Sequence, residues 1–278
     1  MNITILANKD VASCLALNYL LQALPAHRLS VFLSSRVGNK PLPHALQQLK
    51  FVEQDLFNQL LFPAQAQQED STGKLLGFEK LAAALDHRFE ELNNINSEQG
   101  LDRFRQTEPD LALSIRYGVI LKDAALAVPR HGVLNLHSGR LPAYKGVMAT
   151  FWALLRGESE IGTSLHYIED ASIDTGRVVA TSTMSVEPQR SYLWHVLSLY
   201  EEGCLQMARA TEAIAQDTAP AASPQQGKGN YFSFPTERDQ AEFADQGWRL
   251  WDPQDVMDLA YRFVVSPWFS ILQPEEAN

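Results

Sequence analysis

Asn2-Ile3-Thr4-Ile5-Leu6-Ala7 is a short apolar run that stops at the polar Asn8-Lys9-Asp10. A buried strand feeding a helix has this form. Leu17, Leu20, Leu21 and Leu24 then recur at helical spacing. Leu29 to Ser34 reads as a second strand, and Arg36-Val37-Gly38-Asn39-Lys40-Pro41-Leu42-Pro43 after it is loop by composition. Strand, helix, strand at the start argues for parallel strands joined by a crossover helix. No Gly-x-Gly-x-x-Gly follows the first strand, which disfavours nicotinamide redox chemistry.

The same reading extends along the chain. Residues 44–106 look largely helical: Leu46, Leu49, Phe51 and Val52 open one stretch and Phe78, Leu81, Ala82 and Leu85 form another, with a polar loop from Gln65 to Gly73 between them. Leu111 to Ile115, Val133 to Leu136, Ser164 to Ile168 and Val178 to Ser182 are strand candidates. Met148, Phe151, Trp152 and Leu155 mark a helix, and a long helix begins at Leu193, Val196, Leu197 and Tyr200 with Ser191 as its N-cap. The expected fold is α/β: a Rossmann-like open, mostly parallel sheet with flanking helices and a small C-terminal appendage. Residues 1–216 form the main domain in this reading, 217–230 a linker, and 231–278 a short aromatic-rich segment that packs back on the main domain or makes a homodimer.

Composition narrows the classes. The chain has 278 residues, 23 Lys plus Arg against 33 Asp plus Glu, and 45% hydrophobic residues, enough for a packed core. A net charge of −10 disfavours nucleic acid as a partner, because such binding depends on neutralising phosphates. The two cysteines, Cys14 and Cys204, fall on apolar helical faces and read as small buried hydrophobes; no metal site is expected. The start has no basic n-region, and no run of about 20 apolar residues would span a membrane, so a cytoplasmic location is expected.

The chemistry concentrates in Asn135-Leu136-His137-Ser138-Gly139-Arg140-Leu141-Pro142-Ala143-Tyr144-Lys145-Gly146. Asn135 and His137, two apart on a strand, face the same side. They stand where an apolar strand gives way to turn residues, the carboxyl end at which open α/β sheets bind ligands. A later polar loop, Glu169 to Gly176, carries Asp174, which reaches His137 if the two flanking strands are neighbours. An amide and a His suit oxyanion stabilisation, and a His oriented by a carboxylate suits proton transfer. Asn135, His137 and Asp174 are therefore the candidate catalytic residues. None is a strong nucleophile here, so direct acyl transfer is favoured over a covalent intermediate.

This pattern resembles the folate-dependent formyltransferases, a family that includes the glycinamide ribonucleotide, methionyl-tRNA and sugar N-formyltransferases. The resemblance rests on Asn135 and His137; on Leu141, Pro142, Tyr144, Lys145 and Gly146; and on Asp174, Thr175 and Gly176, and extends from about Pro109 to Ser182. It implies 10-formyltetrahydrofolate as donor, without a metal. The pterin pocket would be lined largely by the backbone of Arg116, Tyr117, Gly118, Val119, Ile120 and Leu121, and by Asp170 and Ile173. Ser138, Arg140, Tyr144 and Lys145 would face an amine-bearing small acceptor.

One departure from the family stands out: Gly139 and Arg140 occupy positions where Ser and Leu are usual. The sequence reading is that Gly139 opens space and Arg140 adds charge on the acceptor side. His166 lies in a strand, where a packing role is at least as good a reading as a role in the site. The favoured acceptor is a nucleotide-linked amino sugar. Methionyl-tRNA, an amino acid, and water (a formyltetrahydrofolate hydrolase) are the alternatives, beside a non-catalytic folate binder. Glycinamide ribonucleotide is disfavoured because the turn Ala7-Asn8-Lys9-Asp10 lacks Gly.

Overall fold

The computed structural model describes residues 1–35, 42–67, 75–84, 89–218 and 220–264. Arg36, Lys40, positions 68–73 of the polar loop, Leu85, Trp268 and Phe269 lie outside the described residues. Nine strands alternate with helices among the described residues: β1 (Asn2–Asn8), α1 (Val11–Ala23), β2 (Arg28–Ser34), α2 (His44–Lys50), α3 (Phe62–Ala66), α4 (Phe78–Ala84), β3 (Phe89–Glu91), α5 (Glu98–Arg105), β4 (Leu111–Ile115) and α6 (Asp123–Leu126). These are followed by β5 (Val133–His137), β6 (Lys145–Gly146), α7 (Ala149–Leu155), β7 (Glu160–Ile168), β8 (Val178–Ser185), α8 (Tyr192–Ser198), α9 (Tyr200–Ala215), β9 (Tyr231–Phe232), α10 (Glu237–Asp245) and α11 (Pro253–Phe263). Between α2 and α3 the chain stays helical but winds in wider turns over Phe51–Asp55 and Phe57–Leu61.

Seven strands form one sheet in the order β3-β2-β1-β4-β5-β7-β8. The five from β3 to β5 are parallel, whereas β7 runs antiparallel to β5 and β8 antiparallel to β7. The mostly parallel sheet thus matches the expectation. β1, β4 and β5 are apolar and almost wholly buried, as strands covered on both faces must be. The chain winds outward from β1 in both directions, so a switch point lies between β1 and β4. The carboxyl ends of the parallel strands open there into the crevice where such sheets hold ligands.

Four expectations change. Residues 89–91 form a strand, not helix: three residues are too few to show periodicity, but β3 pairs with β2 and the Leu92 N–H extends the ladder to the Leu33 carbonyl. Gln65 is not in a solvated loop; it ends α3 buried, donating to the carbonyls of Leu75 and Phe263 and accepting from the Gly77 N–H. The long helix is two, α8 and α9. At their junction the Ser198 hydroxyl donates to the Trp194 carbonyl, a back-bond that bends helices. The stretch 220–230, expected as a linker, is hydrogen-bonded to neighbouring strands and loops through Ser223, Gln225, Lys228 and Asn230.

Residues 231–264 pack against the main domain. Phe243 stacks on Phe151 at 4.3 Å and beside Trp248 at 6.0 Å. Phe263 meets the edges of Phe57 and Phe62 at 5.9 and 5.2 Å, and all of these phenylalanines belong to the same apolar core as β1 and α1.

Candidate active site

Antiparallel pairing places Asn135 of β5 opposite His166 of β7, and His137 opposite Ser164. The loop after β7 starts beside Val133, the partner of Ile168, and folds back toward the carboxyl end of β5. Asp174 rides on that loop with φ at +55°, a left-handed conformation uncommon for non-glycine residues. Its Oδ2 lies 3.5 Å from His137 Nδ1, and its Oδ1 lies 3.4 Å from His166 Nε2. The Gly146 N–H donates to Oδ2 at 2.7 Å. One carboxylate therefore bridges two imidazoles and a backbone donor.

The hydrogen-bond partners define the nitrogens. His137 Nε2 lies 2.6 Å from the Tyr144 carbonyl, an acceptor only, so Nε2 carries hydrogen and Nδ1 is the atom turned to Asp174. His166 Nδ1 lies 2.8 Å from its neighbour's carbonyl at Tyr167, leaving Nε2 to face Asn135 Nδ2 at 3.0 Å. In the neutral ring Nε2 accepts from the Asn135 amide, whose second N–H remains for another acceptor; in the charged ring Nε2 donates to Asp174 instead. Burial by itself would raise the Asp174 pKa. The charge of His137, the hydrogen bond from His166, the Gly146 N–H and the charge of His166 outweigh it and hold the carboxyl at about 2.

Asn135, His137 and Asp174 thus come together. His166, for which the sequence left a packing role and a role in the site both open, lies beside them at 2% side-chain exposure. The signal that would have found it is strand register: only the β5–β7 pairing puts residue 166 beside residue 135.

The residues expected around this set divide. Ser138, Gly139, Arg140 and Tyr144 line a narrow crevice with Thr150 and Glu160. Arg140 is half exposed, with Glu160 at 3.9 Å. The Tyr144 side chain is taken up elsewhere: it is buried, its hydroxyl donates to Glu158 at 2.6 Å, and its ring stacks on Phe232. Its carbonyl, not its phenol, faces the site. Lys145 Nζ donates to the Lys228 carbonyl at 3.0 Å.

The reading that Gly139 opens space is corrected. A Cβ there would lie 2.5 Å from Ala149 Cβ, 2.6 Å from His137 Nε2 and 2.8 Å from the Tyr144 carbonyl. Gly139 is required because the imidazole and its carbonyl partner pass over it.

On the proposed pterin side, Ile120 is 55% exposed, Leu121 is buried, and the Gly118 N–H donates to Ser34 Oγ. The Ile120 carbonyl accepts from Asn96, and the Tyr117 hydroxyl donates to the Leu92 carbonyl. Asp170 accepts from the Ser172 N–H in a tight local turn, with Ile173 beyond it only partly buried. Arg116, expected to contribute its backbone, has its side chain engaged elsewhere. At φ +57° its side chain turns inward, with Nε 2.9 Å from Asp10 Oδ2 and Nη2 3.5 Å from Glu53 Oε1. Only its backbone is left to line a ligand pocket. Asp10 also caps α1 through the Ser13 N–H and accepts from Asn8 Nδ2.

Cys14 and Cys204 are both buried free thiols. Among the described residues no group of three or more His, Cys, Asp or Glu side chains is placed to hold a metal ion, and no helix is long and apolar enough to cross a membrane.

A doubly wound sheet carrying an Asn, two His and a buried carboxylate at its carboxyl edge defines an α/β domain equipped for acyl-type chemistry. The family model described as Formyl transferase matches residues 51–193, just over half of the chain, and the chain belongs to that family. A methionyl-tRNA formyltransferase of Salinispora tropica is 36% identical over 129 residues, 46% of this chain and 41% of that protein. The chain spans less than half the length of the curated relatives it matches.

Two solved structures share the fold. An N-formyltransferase from Helicobacter canadensis, in complex with folinic acid and dTDP-3-aminofucose, aligns with a TM-score of 0.52 at 19% identity, covering 86% of this chain and 72% of that one. Glycinamide ribonucleotide transformylase 1 from Symbiobacterium toebii aligns with a TM-score of 0.54 at 14% identity, covering 78% and 89%. Two of these proteins are named for different acceptors and the third was solved with dTDP-3-aminofucose, so the family is defined and the acceptor is not.

Proposed function

We propose that this protein transfers a formyl group from 10-formyltetrahydrofolate to the amine of a small acceptor, with a nucleotide-linked amino sugar as the favoured class. The observation that carries the reading is Asp174 held between His137 and His166 beside Asn135. A folate donor fits the donor set at the site: the free N–H of Asn135 and a protonated His137 Nδ1 can both meet an oxygen that gains charge, and the 116–121 backbone with exposed Ile120 offers polar edges beside an apolar face. The donor supplies the formyl carbon.

The residues act as follows in this reading. Asn135 and His137 stabilise the oxyanion that forms as the acceptor nitrogen adds to the formyl carbon. Asp174, ionised to low pH, keeps His137 aligned. The oxyanion then collapses, the bond from the formyl carbon to the folate nitrogen breaks, and the proton that the acceptor nitrogen loses passes by way of Asp174 or water to that leaving nitrogen. His166 holds the Asn135 amide and the second carboxylate oxygen in place. Nothing in the set is a strong nucleophile, which favours direct transfer.

The acceptor reading draws on Asp10. The N-terminus of α1 would be a ready anion site, but the Asp10 carboxylate already sits there with Arg116 as its counter-charge. A phosphate of glycinamide ribonucleotide would meet that carboxylate. The net charge of −10 disfavours tRNA on electrostatic grounds, whereas the sequence similarity to tRNA formyltransferases keeps it as the second reading.

The test is release of tetrahydrofolate from 10-formyltetrahydrofolate with dTDP-, UDP- and GDP-amino sugars, methionyl-tRNA, glycinamide ribonucleotide and water as competing acceptors. Turnover with one amino sugar is expected, and turnover with methionyl-tRNA alone would replace this acceptor. His137→Ala and Asp174→Asn should each lower turnover by ~10²–10⁴-fold with the fold retained. Near-normal rates in both would overturn the mechanism.

A further inference from the structure

Residues 223–232 cross both loops of the site. Ser223 exchanges both backbone hydrogen bonds with Val178 at 2.9 Å. Gln225 Nε2 donates to the carbonyls of Asp174 and Gly176, at 2.8 and 2.9 Å. The Asn230 N–H donates to the Pro142 carbonyl, and the Lys145 N–H donates to the Asn230 carbonyl. β9 then pairs with β6, whose Gly146 N–H holds Asp174 Oδ2. Gly229, at φ +64°, lies so close to Pro142 that a Cβ would stand 1.9 Å from its carbonyl oxygen. The segment therefore ties the Pro142–Gly146 loop, which carries the His137 partner Tyr144, to the Asp174–Gly176 loop.

We propose that Gln225 is a positioning residue: its amide clamps the left-handed backbone at Asp174 and so aims the carboxylate at His137 and His166. Two observations separate this from ordinary packing. Gln225 Oε1 is buried with no partner among the described residues, so the two carbonyls alone dictate how the amide is turned. Asp174 sits at φ +55°, a left-handed conformation uncommon for a residue other than glycine, and its carbonyl is one of the two that the Gln225 amide holds. The groups facing the carboxylate are His137, His166 and the Gly146 N–H. A loosened Asp174 loses all three together.

The inference rests on Asp174 belonging to the site, and its test includes a readout that needs no acceptor. In the full chain, ¹³C NMR titration of the Asp174 carboxyl is compared among wild type, Gln225→Leu, Gln225→Glu and Gln226→Leu, the last being an exposed neighbour used as control. The carboxyl should titrate near 2 in wild type and in Gln226→Leu, and move toward the ordinary Asp value of about 3.9 in Gln225→Leu. Tetrahydrofolate release with the same acceptor panel should fall roughly 10–100-fold in kcat in Gln225→Leu, with KM for the folate donor little changed.

Gln225→Glu replaces donors by a carboxylate facing two carbonyls. A proton restores one donor, so its activity relative to wild type should recover as the pH falls from 8 to 5, a response that a packing role would not produce. Should Gln225→Leu not fold, this pH ratio decides alone. An unchanged Asp174 titration with unchanged kcat, or a flat Gln225→Glu ratio, overturns the proposal. Retained transfer in His137→Ala and Asp174→Asn would instead refute the catalytic reading while leaving the titration result standing.

Discussion

At the scale of single residues, Gly139 shows how closely the site is built. A methyl group there has no room between Ala149, His137 and the Tyr144 carbonyl, all within 2.8 Å of the position it would take. The neighbours are a helix side chain, the His137 imidazole and a backbone carbonyl, none of which can move without cost. Gly139→Ala should destabilise the protein by about 1–3 kcal/mol and break the His137–Tyr144 bond. Chemical denaturation and a turnover assay check the two effects separately; unchanged activity would show that His137 does not depend on that carbonyl. His166 makes the complementary point. It is a strand His with an amide on one side and a carboxylate on the other, and the sequence left its role open between packing and the site.

At the scale of elements, the aromatic residues after position 230 hold α10 and α11 to the domain. Phe243 is buried between Phe151 of α7 and Trp248, so it joins α10 to the helix that follows the Pro142–Gly146 loop. Phe243→Ala should cost about 3–5 kcal/mol, read as a lower denaturation midpoint. Limited proteolysis should then cut near α10 before the sheet unfolds. A cost below 1 kcal/mol would mean that the segment contributes little to the core. The wide turns over Phe51–Asp55 belong to the same scale, because they carry Glu53 inward to Arg116.

At the scale of the molecule, two buried carboxyls with opposite shifts shape the response to pH. Asp174 is depressed from 3.8 to about 2. It stabilises the fold above its unfolded value, and that contribution, about 2 kcal/mol, is lost as the pH falls from 4 to 2. Glu53 goes the other way. Burial raises its carboxyl from 4.5 to about 7, Arg116 opposes this and Asp10 reinforces it. Its stabilising effect is whole below 4.5 and disappears as the pH rises through 7, a swing of about 3 kcal/mol. Stability should therefore peak on the acid side, near pH 4–5. Glu53→Gln should raise the Tm at pH 8 and leave it unchanged at pH 4.5. Equal shifts at both values would show that Glu53 titrates normally.

The sequence by itself determined the strand–helix–strand opening, the mostly parallel sheet, and the Asn135, His137 and Asp174 set, because those features lie in local periodicity and in ordered short motifs. Tertiary structure alone decided what depends on register and on contacts between distant segments. His166 enters through the pairing of β5 with β7, Arg116 turns away toward Asp10 and Glu53, and Gly139 proves tight instead of open. Gln225 lies in a stretch that reads as linker by composition, yet its amide reaches Asp174 from 51 residues away along the chain. The physical reason is that propensity and periodicity act over a few residues, whereas a hydrogen bond or a steric contact is set by which surfaces the fold brings together.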